Sequence, residues 1–151
     1  MRHLPPEVRF AQRTERQGEC LIWTGTKRTT GYGEMSVDGK PWLIHRWAYV
    51  QAHGPIPDGK HVDHVCHNKL CVEPLHLRAV TPAQNAYNHP GARRGRDLPR
   101  NVYRTPSGRY VVIVRKDGRG RNFGTYGTPE EAAMAAAEAR LKLFGPYAGK
   151  G

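Results

Sequence analysis

The sequence predicts an α+β protein made of two small domains, and three local patterns support this. With 151 residues, the chain is long enough for one domain or two small ones. Asp38-Gly39 lies between two strand-like runs and is a strong signal for a two-residue hairpin turn. Segment 128–131 (TPEE) combines a capping-box threonine with proline at the first helical position, so it predicts a helix start. The composition shifts at 89–91 (HPG). We therefore expect domains over 1–90 and 100–148, joined by a basic linker over 91–99.

The first predicted domain mixes short helices with short strands. Pro6 opens a helix that runs to about Gln12, since proline is tolerated in a first helical turn. From about Ile44 the apolar residues recur at helical spacing, and Gly54 supplies the stop. The remaining predicted elements are strands over 20–24, 32–37, 40–43 and 61–65, and short helices that begin at Pro74 and Thr81.

The second predicted domain consists of three strands followed by one helix. The strands are expected over 101–104, 109–116 and 122–126, separated by glycine-containing turns. The helix after Thr128 is expected to end at Gly145-Pro146. Its alanines suit close packing on a sheet, and its predicted core face is an apolar stripe at helical spacing: Met134, Ala137, Leu141 and Phe144.

Charge is the strongest global signal in the composition. The chain carries 24 Lys and Arg against 13 Asp and Glu, a formal net charge of +11. Ten basic and only two acidic residues lie between 93 and 121. A localised basic block indicates a polyanion partner, usually nucleic acid. Strand-like residues interrupt this block, which argues against a solvated, disordered tail.

Several classes of protein are disfavoured by what the sequence does not contain. No apolar run approaches the ~20 residues of a membrane span, and the N-terminus has no hydrophobic signal core. We therefore expect no membrane partner and a cytoplasmic location. Three cysteines cannot all form disulfides with one another, and in a reducing compartment they are expected to be metal ligands.

Residues 61–77 concentrate the side chains that hold metals and transfer protons. Asp63 as a hard oxygen ligand and His76 as an imidazole ligand would form an open site for one divalent cation, Mg²⁺ or Mn²⁺. Such a cation would stabilise the phosphorane and the leaving oxygen of a phosphodiester. Acidic residues nearby are few, which favours a one-metal mechanism. The run therefore predicts a metal-dependent site for phosphodiester hydrolysis.

The cysteines indicate a second, structural metal. Cys66 and Cys71 are interpreted as half of a structural Zn²⁺ site, with Cys20 as third ligand and His45 as fourth. A small domain with a thin core gains much stability from such a metal. Two alternatives stay open: His76 completes the zinc site with Cys66 and Cys71, or the three cysteines are free and buried.

The central run resembles the HNH endonuclease family, particularly the branch with phage and intron-encoded homing endonucleases. The resemblance spans about residues 18–88 and rests on Asp63-His64, Cys66, Asn68, Cys71, Pro74-x-His76-Leu77 and Thr81-x-x-x-Asn85, with flanking motifs at 20–25, 31–33, 45–51 and 54–59. It implies a ββα-metal (His-Me finger) fold in which a hairpin and a helix surround one cation. His64 would be the general base and Asp63 and His76 the cation ligands. Asn68 or Asn85 would brace the loop or contact a phosphate.

Residues 100–148 resemble the DNA-binding domain of plant APETALA/ethylene-response transcription factors, which also occurs in phage homing endonucleases. The matching motifs are RNVY at 100–103, GRY-x-V-x-V at 108–114, FGTY at 123–126, TPEEAA at 128–133 and FG-x-YA at 144–148. The resemblance implies a three-stranded antiparallel sheet that lies in the major groove of double-stranded DNA and is backed by the helix. The expected contacts are Arg100, Arg104, Arg109, Arg115, Lys116, Arg119 and Arg121, with Arg93, Arg94 and Arg96 from the linker.

Together these features predict a site-recognising, homing-type DNA endonuclease acting in a phage-infected or bacterial cell. The alternative is a non-catalytic DNA-binding regulator in which the nuclease-like half is a zinc-stabilised scaffold. RNA binding is disfavoured because no RNA-stacking motif is present. One active site cuts one strand, so a double-strand break requires either a homodimer or two sequential cuts.

Overall fold

The computed structural model describes residues 4–88 and 97–149. The chain separates into two compact units, Met1–Pro82 and Ala83–Gly151, hereafter unit 1 and unit 2. The predicted linker contacts Arg93, Arg94 and Arg96 lie outside the described residues. None of the described helices is long and apolar enough to cross a membrane.

Unit 1 is built from short elements joined by turns. In chain order they are α1 (Pro6–Ala11), β1 (Thr14–Gln17), β2 (Cys20–Trp23), β3 (Glu34–Val37), β4 (Lys40–Leu43), α2 (Ile44–His53), β5 (His61–His64), a 3₁₀ turn (Pro74–His76) and β6 (Leu77–Val80). The strands form three separate antiparallel pairs, β1–β2, β3–β4 and β5–β6. The helix α3 (Pro82–Asn88) begins at the boundary between the units.

Two strands of unit 1 were not expected from the sequence. β1 carries polar, mostly exposed side chains, so it has no apolar alternation to indicate a strand. β6 follows Pro74, where the sequence predicted a helix; only the single 3₁₀ turn forms before the chain pairs with β5. By contrast, the Asp38-Gly39 hairpin and the helix that begins at Ile44 are present as predicted.

The core of unit 1 consists of a few large side chains around the indole of Trp23. Trp23 is fully buried, and the described core residues packed with it are Met35, Ile44, Trp47, Ala48, Val72 and Leu77. Gly25 and Gly33 lie against the indole, because a Cβ added to either would come within 2.4 Å of a Trp23 ring atom. All three tryptophans of the chain belong to this unit.

Unit 2 contains one sheet and one long helix. Its strands β7 (Val102–Arg104), β8 (Tyr110–Lys116) and β9 (Arg119–Tyr126) form an antiparallel sheet in that order. The helix α4 (Pro129–Phe144) begins with the predicted capping box, in which Thr128 and Glu131 exchange hydrogen bonds. Valines of the sheet and alanines of α4 form one continuous core: Val102, Val112, Val114, Ala132, Ala136 and Ala139, closed by Phe144 and Ala148.

The predicted core stripe of α4 is wrong for most of its length. Met134 is 76% exposed and Leu141 60% exposed, and only Phe144 of the stripe is buried. The buried face is instead the alanine face, which lies at an equally regular helical spacing. Small side chains allow the helix backbone to approach the sheet closely, so here the smallest apolar residues, rather than the largest, mark the interior.

Candidate metal centre and active site

Four ligand side chains come together in unit 1. Cys20 begins β2, Cys66 and Cys71 lie in the loop after β5, and His76 ends the 3₁₀ turn. One ligand atom from each lies within 4.8 Å of the other three. His76 Nδ1 is 3.6 Å from Cys20 Sγ and 3.5 Å from Cys71 Sγ. Within the described part of the chain, this is the one group in which three or more side chains that can bind a metal come together.

Backbone pairing explains why residues so distant in sequence meet. The amide of Trp23 donates to the carbonyl of Leu70 at 2.8 Å, and the amide of Val72 donates to the carbonyl of Leu21 at 2.7 Å. Segment 70–72 therefore lies along β2 and brings Cys71 beside it. Within the loop, Asn68 Oδ1 accepts from the Leu70 amide at 3.0 Å, so the Asn68 side chain braces the turn.

The donor set and its dimensions fit zinc. In a tetrahedral site with Zn–S near 2.3 Å and Zn–N near 2.0–2.1 Å, sulfur and nitrogen are separated by about 3.6 Å. The two sulfur–nitrogen distances in the cluster, 3.6 and 3.5 Å, agree with this value. Burial, together with neighbouring Cys20 and Cys66, raises the pKa of the Cys71 thiol to about 12. A zinc ion would therefore displace protons on binding, as thiolate ligation requires.

This geometry corrects one assignment made from the sequence. His45, the predicted fourth zinc ligand, is not in the cluster, because His76 occupies that position. His76 Nδ1 lies beside the Cys20 and Cys71 sulfur atoms, and its role as second ligand of a catalytic cation stays a prediction. The grouping of His76 with the cysteines was the alternative left open by the sequence. The sequence could not decide this point, since it depends on the pairing of β2 with segment 70–72.

His64 is held in one tautomer beside the cluster. Its side chain is buried, with 6% exposure, and Nε2 lies 3.0 Å from the Cys71 carbonyl oxygen. A carbonyl can only accept, so Nε2 carries the proton and Nδ1 is the nitrogen that can take one. Burial lowers the pKa of His64, opposed by the Cys71 carbonyl and by the charge of Asp63. The imidazole is therefore neutral at pH 7, the form that a general base requires.

Asp63 precedes His64 in β5 but has a different partner. Arg78, opposite Asp63 in β6, donates from Nε and Nη2 to Asp63 Oδ2, both at 3.1 Å. The carboxylate is 9% exposed. As a cation ligand it would act as a single protein carboxylate, with water and substrate phosphates completing the shell. Magnesium is commonly bound in this way.

His45 lies beside His64 rather than beside the thiols. The centroids of the two imidazoles are 4.8 Å apart, and the Tyr32 ring is 5.1 Å from His45 and 6.2 Å from His64. His45 is 4% exposed, and its Nδ1 is buried without a hydrogen-bond partner in the structure. Burial and the proximity of His64 and Arg46 lower the pKa of His45 to about 3. One sequence feature that marked His45 was its position at the start of α2, directly after the β3–β4 hairpin. That position did not indicate that His45 would lie beside His64.

Two further polar side chains, Glu73 and the predicted site residue Asn85, lie outside the cluster. Glu73 forms an ion pair with Arg16 of β1 at 2.7 Å, so it links the cysteine loop to the first hairpin. Asn85 lies on α3, within unit 2. Its role stays a prediction.

The predicted DNA contacts of unit 2 divide by environment. Arg104, Arg109, Arg115, Arg119 and Arg121 are exposed. Arg100 is partly buried and donates to the Tyr87 carbonyl at 3.1 Å, while Lys116 donates to the Leu143 carbonyl at 2.9 Å. These last two side chains are partly buried as well as engaged within the unit, whereas Arg109 stays exposed although it donates to the Thr125 carbonyl at 3.1 Å. The exposed group therefore remains as the candidate contact set.

The chain is similar to one protein family and to several viral proteins. Residues 43–87 match the HNH endonuclease family model. Protein 7.7 of Escherichia phage T7 is 40% identical over 68 residues, covering 45% of this chain and 52% of that protein. The uncharacterized gene 5.3 protein of Enterobacteria phage T3 is 35% identical over 68 residues, covering 40% of this chain and 67% of that protein. The uncharacterized HNH endonuclease L560 of Acanthamoeba polyphaga mimivirus is 31% identical over 120 residues, covering 79% of this chain and 62% of that protein.

These matches differ in extent. The chain spans about half the length of the T7 protein. The mimivirus match covers 79% of this chain, more than either compact unit contains, so that similarity reaches into both units. No solved structure matches the chain.

Proposed function

Taking the HNH endonuclease domain of this chain as the premise, we propose that the protein is a divalent-cation-dependent endonuclease that cleaves double-stranded DNA. The observation that carries the proposal is the orientation of His64. Its Nε2 proton is committed to the Cys71 carbonyl, which leaves Nδ1 as the basic nitrogen. A neutral imidazole so fixed can take a proton from water as that water attacks a phosphorus atom.

The catalytic cation is proposed to bind at Asp63. When bound, a hard divalent cation such as Mg²⁺ or Mn²⁺ would stabilise the charge on the phosphorane and on the leaving 3′-oxygen. Asp63 contributes one carboxylate oxygen, and Arg78 fixes the orientation of that carboxylate from the neighbouring strand. The antiparallel pair β5–β6, with a helix next in chain order, is the element order that a ββα-metal fold requires. Hydrolysis is proposed to leave 5′-phosphate and 3′-hydroxyl ends.

The zinc cluster is proposed to be structural. Its four ligand positions are all supplied by protein side chains, which leaves no coordination position for a substrate. Cys71 links the two sites, because its thiol belongs to the cluster while its carbonyl oxygen binds His64. Zinc would therefore keep the base in place without taking part in the reaction.

Unit 2 is proposed to position the enzyme on its target, as in homing-type nucleases. The exposed arginines on and beside its sheet support this role, since a localised positive charge attracts the phosphate backbone. The similarity to the plant-type DNA-binding domain stays a proposal, as do the phage or host-cell setting and the homodimer.

A supercoiled plasmid incubated with the protein and Mg²⁺ or Mn²⁺ tests the function. We expect nicked or linear product from the wild type. His64→Gln keeps a side-chain N–H for the Cys71 carbonyl but has no basic nitrogen, so its rate should fall by roughly 10²–10⁴-fold, with DNA affinity nearly unchanged. If His64→Gln cut the plasmid at the wild-type rate, His64 would not be the general base.

A specific observation favours a second candidate, a DNA-binding regulator without catalysis. His76, one of two predicted ligands of the catalytic cation, lies instead in the cysteine cluster, and Asp63 is paired with Arg78. If both wild type and His64→Gln bind DNA but neither cuts it with any divalent cation, the regulator is the correct assignment.

A further inference from the structure

The loop that carries the cysteines also places a cation beside the candidate base. Lys69 lies between Cys66 and Cys71, and its side chain extends to the segment 30–32. Nζ donates to the Thr30 carbonyl at 3.0 Å and lies 5.1 Å from the centroid of the Tyr32 ring. The Lys69 stem passes Gly31, where an added Cβ would lie 3.6 Å from Lys69 Cδ. Three consecutive residues therefore hold one exposed lysine in place.

The same tyrosine connects this cation to the candidate base. Tyr32 lies 6.2 Å from His64, centroid to centroid, and Lys69 Nζ lies 5.1 Å from the Tyr32 centroid. The ammonium group is thus at most about 11 Å from the His64 imidazole. Successive phosphates of one DNA strand are about 3.4 Å apart along the helix axis. A phosphate that binds Lys69 would therefore lie within a few nucleotides of the phosphate attacked at His64.

The charge of Lys69 is available for such a contact. Its hydrogen bond within the described residues is to a carbonyl oxygen, not to a carboxylate. The ion pairs of nearby acids are formed by arginines: Glu34 with Arg28, Glu73 with Arg16 and Asp63 with Arg78. The side chain is exposed. A pre-positioned, exposed and uncompensated ammonium is well suited to a phosphate.

We propose that Lys69 binds a phosphate of the cleaved DNA strand and so positions that strand against His64. The proposal rests on the proposed function, since it names a substrate contact of the same site. It adds a contact that the sequence did not indicate, because a lysine in the spacer between two cysteines has no local pattern that marks it as a phosphate ligand. The competing interpretation is that Lys69 is a structural clip between the cysteine loop and the segment 30–32.

The test compares Lys69→Met with Lys69→Arg and with Lys40→Met. Methionine keeps the apolar stem but removes the charge, and arginine restores the charge. Lys40 is an exposed lysine at the β3–β4 turn, so Lys40→Met makes the same charge change elsewhere in unit 1. Two quantities are measured on the full, zinc-loaded chain: the salt dependence of binding to a duplex DNA in EDTA-free buffer with Ca²⁺, and the cleavage rate with Mg²⁺.

We expect the slope of log affinity against log salt to become shallower by about 0.9 in Lys69→Met, the value for one phosphate contact. The cleavage rate should fall between about tenfold and a hundredfold. Lys69→Arg should restore both quantities, and Lys40→Met should leave both unchanged. Tryptophan emission and zinc content, which report the folding of unit 1, should match the wild type in all variants.

An unchanged salt slope in Lys69→Met would overturn the proposal whether or not the protein cuts DNA. Equal changes in Lys69→Met and Lys40→Met would also overturn it, because the effect would then be one of net charge. Loss of zinc or of the native emission in Lys69→Met, without a change in slope, would identify a structural clip. If the slope changes but the wild type never cuts, the phosphate contact stands and the proposed nuclease function fails.

Discussion

Units 1 and 2 are of similar size but are stabilised in different ways. Unit 1 has three separate two-stranded sheets with four residues per strand, a small core of large side chains, and a cluster of four side chains that could hold a metal. Unit 2 has one three-stranded sheet packed on a 16-residue helix, and its core is continuous. Isolated two-stranded hairpins are at best marginally stable. We therefore expect unit 1 to depend on a metal in its cysteine cluster and unit 2 to fold without one.

Removal of zinc is the largest perturbation that this comparison predicts. Structural zinc contributes on the order of 10–16 kcal/mol of apparent binding energy, more than the core of a small domain supplies. Stripping the metal, or replacing Cys71 by serine, should unfold unit 1 and leave unit 2 folded. All three tryptophans lie in unit 1, so their emission should shift to the red, while amide signals of unit 2 in an NMR spectrum stay in place. If the amide signals of unit 2 were lost together with the native tryptophan emission of unit 1, the two units would not differ in their dependence on the metal.

Glycine substitutions next to Trp23 should give the next largest effect. A Cβ at Gly33 would lie 2.4 Å from Trp23 Cδ1 and 2.6 Å from Ile44 Cγ2. Gly33→Ala should destabilise unit 1 by about 3 kcal/mol, the upper part of the range for overpacking, measured by denaturant titration of tryptophan emission. Gly120→Ala in unit 2 is the matched control, because its Cβ would lie 3.3 Å from Ile113 Cγ2 and at ordinary contact distance, 3.8 Å, from Arg115 Cγ. That change should cost less than 1 kcal/mol, as expected for a contact that can relax, measured by far-UV circular dichroism because unit 2 has no tryptophan among its residues.

The helix of unit 2 should respond to substitutions according to its alanine face. Ala136 is fully buried against the sheet, so Ala136→Val should overpack the core and cost about 1–2 kcal/mol. Leu141→Ala removes a larger side chain from an exposed position and should change stability by less than about 0.5 kcal/mol. Far-UV circular dichroism during thermal unfolding measures both. The reverse ranking would restore the stripe predicted from the sequence.

The pH dependence of unit 1 should contain a smaller contribution from His45. Its folded-state pKa is about 3, below the value of about 6.5 in an unfolded chain. The unfolded state therefore binds more protons between these values, and stability falls as the pH drops below 6.5. The loss should be about 1 kcal/mol between pH 6.5 and pH 5.5.

His45→Gln removes this titration, so its stability curve should be flatter than the wild-type curve over that interval. Release of zinc affects both proteins and cancels in the difference, which therefore reports the titration of His45 together with its coupling to His64. Parallel curves would mean that His45 is solvated or paired in the folded state.

In both units, the sequence predicted the features that are encoded within a few neighbouring residues. Signals contained within a few residues were sufficient for the Asp38-Gly39 turn, the Thr128 capping box and the helix from Ile44. The grouping of His76 with the cysteines could only stand as an alternative, because it is set by pairing between β2 and segment 70–72, which no local pattern encodes.

The α4 face was misjudged for a related reason. Two apolar faces have the same period, and only the close approach of the sheet selects the smaller residues. Around the candidate base, the sequence identified His64 and its neighbours by resemblance. The proximity of His45, Tyr32 and Lys69 emerged only from the fold.

The central claim is that the chain uses two metals in separate roles, zinc in the cysteine cluster and an oxygen-bound cation at the base. The most direct test starts from protein that contains one zinc per chain and no other divalent metal. It should leave plasmid DNA intact until Mg²⁺ or Mn²⁺ is added and then cut it, while His64→Ala retains its zinc and stays inert. Cutting by the zinc-only protein, or by His64→Ala in the presence of Mg²⁺, would contradict this account.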